Sequence, residues 1–300
     1  MRIVQLSGGV GGARMARGFA AIDEVDLTVV VNVGDDAENH GLAISPDLDT
    51  VIYTLAGEEG GQGWGRRDDT FRFNEELARF GVDNTFRLGD LDLALKVHRT
   101  VELKRGRSLS DITGSVADSF GLHAIVTPAT DDRLRTMVLT QDGWLSFQEY
   151  FVDRRFTDDV LDVRFEGADT ARPAPGVLEA IETCDLLVIG PSNPPLSVWP
   201  ILAVPGVRDV VQRHPSVTAV SPLIGGKTVR GPADRVMESL GLPPGNPGVA
   251  RAYEGLIHRL FIDSSDEGQA GALGVDVVAT DTLITDPGSS RRLAKEVMST

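Results

Sequence analysis

Short apolar runs rich in β-branched residues alternate along this chain with stretches whose apolar positions recur at helical spacing. Such alternation predicts βαβ units, because parallel neighbours in a sheet need a long, usually helical, crossover. Residues 3–6 read as the first strand, and residues 27–31, interrupted only by Thr28, read as a central strand buried on both faces. Further strands are expected at 123–127, 186–189, 217–220 and 275–279, and amphipathic helices at 13–22, 73–80, 91–101, 176–183, 233–240 and 291–298. The middle departs from this rhythm. Residues 86–121 look like consecutive helices, and residues 134–166 like shorter strands around Trp144, Phe147 and Tyr150. The expected fold is therefore α/β, a Rossmann-like, mostly parallel sheet with helices on both faces. It forms a single unit over 1–300 with an inserted helical and β subdomain, or lid, at approximately 86–166.

Composition narrows the functional classes. A chain of 300 residues buries a large core without needing disulfides, and its single cysteine, Cys184, excludes an internal disulfide and any multi-cysteine zinc site. No apolar run approaches the roughly 20 residues that cross a bilayer. The amino terminus enters a strand pattern directly, so a cytoplasmic protein without membrane association is expected. A net charge of −15 argues against nucleic acid as a partner, since affinity for a phosphate backbone rests on a basic footprint. An anionic small molecule would have to be met by local arginines, backbone N–H groups or a divalent cation. A homodimer is compatible with everything so far.

The first candidate chemistry follows the first strand. In Ser7-Gly8-Gly9-Val10-Gly11-Gly12-Ala13-Arg14 a glycine-rich turn opens a helix, which lets backbone N–H groups at Gly9, Val10, Gly11 and Gly12 face an anion. It is not a dinucleotide fingerprint, because Arg14 occupies the position where that motif needs glycine or alanine. Nor is it a P-loop, since the first lysine of the chain is Lys96. The second strand ends in Asn32, whereas a nicotinamide site calls for an acidic residue there.

Carboxylates cluster just beyond that strand: Asp35, Asp36, Asp47 and Asp49 lie within NVGDDAENHGLAISPDLDT. Hard cations such as Mg²⁺ take a few carboxylate oxygens together with water and substrate phosphates, which this loop can supply. The alternative is that Asp47 or Asp49 caps the helix around residues 51–55. Trp64, Arg66 and Arg67 combine a planar ring with two guanidinium groups, suited either to stacking and anion binding or to covering a surface edge. Ser192 and Asn193, in GPSNP, follow the strand at 186–189 and belong on the same rim as the glycine turn. Lys227 and Arg230, in SPLIGGKTVRGPAD, follow the next strand and suit a second phosphate-contacting loop. No nucleophile elbow is present, so metal-assisted transfer of a phosphate-linked group is the chemistry these parts favour.

Taken together, GGVGGAR at 8–14, NVGDDAENHGLAISPDLDT at 32–50, WGRRDDTF at 64–71, LGDLDLA at 88–94, GPSNP at 190–194 and SPLIGGKTVRGPAD at 221–234 resemble the 2-phospho-L-lactate and phosphoenolpyruvyl transferases of coenzyme F420 biosynthesis. The resemblance covers nearly the whole chain. It implies that a ribityl hydroxyl of the deazaflavin Fo attacks the phosphorus bearing a three-carbon acid in a guanylated donor and expels GMP. It also implies Mg²⁺ on aspartates of the second loop. On that footing Asp35 and Asp49 are the expected metal ligands, and Asp36 or Asp47 is a further ligand or the base that orients the hydroxyl. Gly9 to Gly12, Ser192, Asn193, Lys227 and Arg230 would hold the guanosine diphosphate part. The segment from Trp64 to Thr70, Arg67 included, with Asp90 and Asp92, is expected on the deazaflavin side. Proteins of similar fold that bind sugar nucleotides as regulators are the competing reading, and tight nucleotide binding without turnover would distinguish them.

Overall fold

The computed structural model describes residues 1–61, 63–82 and 85–299. Its centre is a seven-stranded sheet built from β1 (Arg2–Ser7), β2 (Asp26–Val31), β3 (Ile125–Pro128), β4 (Leu186–Ile189), β5 (Val217–Val220), β6 (Arg259–Asp263) and β7 (Asp276–Thr280). The spatial order is β7-β6-β5-β4-β1-β2-β3, and every neighbouring pair is parallel. Residues of β4 and β5 are buried throughout, as expected for strands covered on both faces.

The chain leaves β1 toward β2 and β3 on one side, then returns to pair β4 with the other edge of β1. This reversal of strand order opens a crevice at the carboxyl ends of β1 and β4, the place where open α/β sheets bind ligands. Helices α1 (Gly9–Ala20) and α2 (Pro46–Leu55) pack against one another, and α1 also packs against the C-terminal helix Pro287–Met298. Met15, Ala16 and Phe19 of α1 and Leu48, Val51 and Ile52 of α2 join the main core.

Two expectations change. Helix α3 (Arg72–Arg79) precedes the expected insertion, and α4 (Asp90–Lys104) and α5 (Leu109–Ser119) fall outside the inserted unit. They belong to the crossover from β2 to β3, which pairs in parallel with β2 from Thr28↔Ile125 to Val31↔Pro128. The inserted unit is smaller, an antiparallel three-stranded sheet of Gly143–Ser146, Arg135–Thr140 and Asp162–Glu166, with Arg135–Thr140 in the middle. It packs through Val138, Tyr150 and Val160 onto Leu196 and Val236, so it sits above the loops that follow β4 and β5. Strand β6 has no counterpart among the predicted strands, because only Leu260, Phe261 and Ile262 are apolar between Arg259 and Asp263.

Candidate active site

The glycine turn after β1, the aspartate loop after β2 and the GPSNP turn after β4 meet at one rim. Ser192 ties the first to the third: its hydroxyl donates to the Gly8 carbonyl at 2.7 Å and accepts from the Gly8 amide at 3.1 Å. Asp47 ties the first to the second. The Gly9 amide, at the start of α1, donates to Asp47 Oδ1 at 2.7 Å, and Asn32 Nδ2 donates to Asp47 Oδ2 at 2.9 Å. A carboxylate thus occupies the electropositive helix start that suits an anion.

The glycines divide by task. Gly9 has a φ of +64° and open space where a Cβ would be, so it alone supplies a left-handed turn beside free volume. Gly8, Gly11 and Gly12 are demanded by packing. A Cβ on Gly8 would lie 2.6 Å from Ser197 Cβ, one on Gly12 would lie 2.7 Å from Ser192 Oγ, and one on Gly11 would strike the Pro191 carbonyl. Val10 faces the loop at 57–67, where a Cβ on Gly63 would lie 2.8 Å from both Val10 Cγ1 and an Arg230 guanidinium nitrogen. Arg230 therefore reaches the glycine turn from the far side of the rim.

The four aspartates are all buried, and they separate into two environments. Asp35 Oδ1 and Asp36 Oδ1 have no hydrogen-bond partner, while the other Asp36 oxygen accepts from Ser45 Oγ at 2.8 Å. Burial pushes the Asp36 carboxyl up to about 7, against the opposing pull of Arg135. Burial and then the neighbouring Asp47 carboxylate raise Asp35, and burial raises Asp47 against its bonds to Asn32 and Gly9. Burial and mutual repulsion together outweigh the cations and N–H donors around these three carboxyl groups, the arrangement that raises carboxyl pKa values.

Asp49, expected as a metal ligand, lies in the second environment, where two cations already meet it. Both of its oxygens are engaged, one by Lys96 Nζ at 2.6 Å and Arg99 at 3.1 Å, the other by Arg99 again. Burial alone would raise its pKa, but Arg99 and Lys96 hold it below the ordinary carboxylate value. Lys96 also pairs with Asp92, which accepts from Tyr53 OH at 2.7 Å. Asp49 fastens α2 to α4. The spacing Asp92, Lys96, Arg99 puts three charges on one helix face, a signal in the sequence that this face meets an opposite charge instead of solvent.

The segment assigned to the deazaflavin also changes meaning. Asp90 accepts from the amides of Arg72 and Phe73 at 3.1 and 3.0 Å, and from Thr70 Oγ1, so it caps α3. Asp69 accepts from the amides of Leu91 and Asp92 at 2.8 and 3.0 Å, so it caps α4. WGRRDDTF and LGDLDLA are the two halves of one reciprocal cap, and Gly89 lacks a side chain because Asp69 fills that space. Arg67 donates to the Gly57 carbonyl within its own loop, and Trp64 is 53% exposed. That loop is held to α1 by Glu59, which accepts from Arg14 Nε at 2.9 Å and lies 3.6 Å from Arg17.

Asn193 caps the short helical turn that follows it, accepting from the Leu196 amide at 3.2 Å. Lys227 points toward Asp234 and Glu238, at 3.3 and 3.8 Å. The expected second phosphate loop is a hairpin of Leu223–Ile224 and Lys227–Thr228, with Gly225 and Gly226 at φ of +60° and +72°. Two left-handed residues are what a two-residue hairpin turn requires. The Gly225 amide donates to Ser265 Oγ at 3.1 Å, so these glycines shape the turn and dock it.

A match to the family model of 2-phospho-L-lactate transferase CofD spans residues 3–290. The chain belongs to the CofD family. It is 41% identical over 302 residues to a 2-phospho-L-lactate transferase of Methanopyrus kandleri, covering 99% of this chain and 97% of the relative. It is also 41% identical over 312 residues to a phosphoenolpyruvate transferase of Streptomyces griseus, covering 99% and 98%. Among solved structures, a UPF0052 family protein of Bacillus halodurans superposes with a TM-score of 0.68 at 16% identity, covering 99% of this chain and 98% of that one, which shows a shared fold. In this CofD-family chain no helix of the described residues is long and apolar enough to cross a membrane.

A magnesium ion can be tested against these residues. Asp35 and Asp36 each carry a buried oxygen without a partner, which is donor capacity of the kind a hard cation uses. Among the described residues no group of three or more acidic, histidine or cysteine side chains is arranged to enclose a metal. The donors therefore fit an ion that takes one or two carboxylates and completes its shell with water and substrate oxygens, as Mg²⁺ does.

Proposed function

We propose that this CofD-family transferase moves a phospho-carboxylic acid, of the 2-phospholactate or phosphoenolpyruvate type, from a guanosine diphosphate conjugate to the terminal ribityl hydroxyl of Fo. The hydroxyl oxygen forms a bond to the phosphorus bearing the three-carbon acid, the bond from that phosphorus to the bridging oxygen breaks, and GMP leaves. The hydroxyl proton passes to a carboxylate of the rim. The product is F420-0 or dehydro-F420-0.

The observation that carries this reading is the convergence of the Gly9 amide, Ser192 and Asp47 at the crevice between β1 and β4, beside two buried carboxylate oxygens that lack partners. Phosphoryl transfer asks chiefly for alignment and for neutralisation of charge on the phosphoryl oxygens. Asp35 is the foremost candidate to hold Mg²⁺, with Asp47 or Asp36 as its companion, and the ion would supply that neutralisation. Asp36, held by Ser45 at one oxygen and open at the other, is suited to orient the attacking hydroxyl and accept its proton. The start of α1 and Arg230 are suited to the diphosphate, and the insertion above the rim is suited to excluding water from it.

The test is mass spectrometry of Fo incubated with the protein, Mg²⁺ and each guanylated three-carbon acid in turn. A conjugate of the mass expected for Fo plus the phospho-acid supports transfer and identifies the donor. Tight binding of the guanylated compound with Fo returned unchanged would favour a nucleotide-binding regulator instead.

A further inference from the structure

The inserted sheet grips the aspartate loop directly. The Thr136 amide donates to the Gly34 carbonyl at 2.8 Å, and Gln148 Nε2 donates to the Asp35 carbonyl at 2.8 Å. Thr136 also presses its hydroxyl against Gly34 so closely that no Cβ would fit there. Arg135 immediately precedes this contact and opens the central inserted strand.

Its guanidinium is half-buried and donates to the Leu134 carbonyl at 2.7 Å. Five cations around the rim are engaged by carboxylates, Lys96 and Arg99 by Asp49, Arg14 by Glu59, Arg66 by Glu58 and Lys227 by Asp234, and Arg230 lies at the glycine turn on the diphosphate side. Among the described residues no carboxylate lies within 4.0 Å of Arg135. Burial pulls its guanidinium below the ordinary value, and the Asp36 carboxylate opposes that pull.

We propose that Arg135 binds the carboxylate of the transferred three-carbon acid. This rests on the transfer reading above and extends it to the acid itself. An anion entering beside Asp35, Asp36 and Asp47 meets repulsion, and a cation not already neutralised offsets it. The planar fork of a guanidinium matches a carboxylate with two parallel hydrogen bonds, a geometry that a single ammonium does not offer. Partial burial strengthens such a pair relative to one in water. The insertion thereby becomes the wall of the site that reads the acid, while the sheet rim handles the diphosphate.

The experiment compares two donors, the guanosine diphosphate conjugate of lactate and the ethyl ester of guanosine diphosphate, which lacks only the carboxylate. Their affinities for wild type, R135K and R135A are measured by calorimetry with Mg²⁺ and without Fo. Transfer to Fo is followed separately. R135A should weaken the lactate conjugate by about 10- to 100-fold, the loss of one charge-assisted pair. It should leave the ethyl ester within about threefold, and R135K should fall between. Equal weakening of both donors would assign Arg135 to the diphosphate or to supporting Asp36 and overturn the proposal, as would unchanged binding in R135A. If wild type binds both donors with the expected contrast and never transfers to Fo, the transfer reading fails while the carboxylate assignment stands.

Discussion

The Gly9 amide and the Asp47 carboxylate are hydrogen-bonded at 2.7 Å, so the aspartate loop closes over the start of α1. These two residues, 38 positions apart in the chain with β2 between them, join the two segments with the most chemical content. An anionic substrate arriving at that helix start competes with Asp47 for the Gly9 N–H, and a cation beside Asp47 removes the repulsion between them.

Replacing Asp47 with asparagine keeps the shape and removes the charge. Mg²⁺-dependent transfer should fall by about 100-fold or more, the scale of losing one electrostatic contact to a transition state. The urea midpoint should fall, because both Asp47 oxygens accept hydrogen bonds and an asparagine amide leaves the Gly9 or the Asn32 N–H facing an NH2 group. Single-turnover rates at saturating Mg²⁺ measure the first, and equilibrium unfolding the second; wild-type rates in D47N would remove Asp47 from the chemistry.

Asp49 should behave in the opposite way. D49N leaves Arg99 and Lys96 buried without their shared carboxylate, a loss of about 3–5 kcal/mol in folding stability. D35N, whose lost oxygen had no partner, should unfold near the wild-type midpoint yet lose Mg²⁺-dependent activity. Denaturation of the two variants side by side distinguishes a structural ion pair from a metal ligand, and equal stabilities would contradict the division made here.

Much of this was legible before any coordinates. The runs of β1, β2, β4 and β5 are continuous and apolar because both faces are buried, and continuous runs are easy to see. β6 was invisible because three apolar residues between charges look like a loop. The rim loops were found because they follow visible strands. What each side chain does there was not found, since a carboxylate that caps a helix, one that neutralises an arginine and one that waits for a cation are the same letter. Asp49 and Asp90 show it: their ion-pair and capping partners are visible only in the fold. Gly11 and Gly12 are ambiguous likewise, since close approach to another loop and close approach to an anion both call for glycine.

Raised carboxyl groups make a sign prediction for the metal-free protein. Asp36 ordinarily titrates at 3.8 and is held at about 7 in the fold, so between about pH 4 and pH 7 the folded state binds more protons than the unfolded one. Stability in EDTA should therefore decline as pH rises through that window and level off above it. Asp49, with its lowered pKa, acts only below about pH 4 and in the other direction. Melting temperatures from pH 4.5 to 8 should show the decline, D36N should make it shallower while Asp35 and Asp47 keep part of it, and Mg²⁺ should restore stability most at the alkaline end. A metal-free melting temperature that climbs with pH would show that these carboxyl groups are ionised together without penalty.

The two rim cations should part company in nucleotide binding. Arg230 reaches Gly63 and Val10 beside the glycine turn, so R230A should weaken GDP by about 1.5–3 kcal/mol, one charge-assisted hydrogen bond. Lys227 is exposed and already engaged by Asp234 and Glu238, so K227A should change affinity by less than about threefold. Calorimetric titration with GDP and Mg²⁺ checks both, and a reversal of the two effects would relocate the diphosphate toward the hairpin.

Asp69 begins α4 and Asp90 begins α3, so each helix depends on a residue that only its partner keeps in place. Neither can fray at its start without freeing the amides of the other. Amide exchange should therefore report one opening event for the first turns of both helices, and that interlock would couple the loop carrying Trp64 to the buried charges of Lys96 and Arg99 behind the site. A disturbance at the surface of this segment would travel inward as a change in population of one unit, not as a graded loosening of separate pieces.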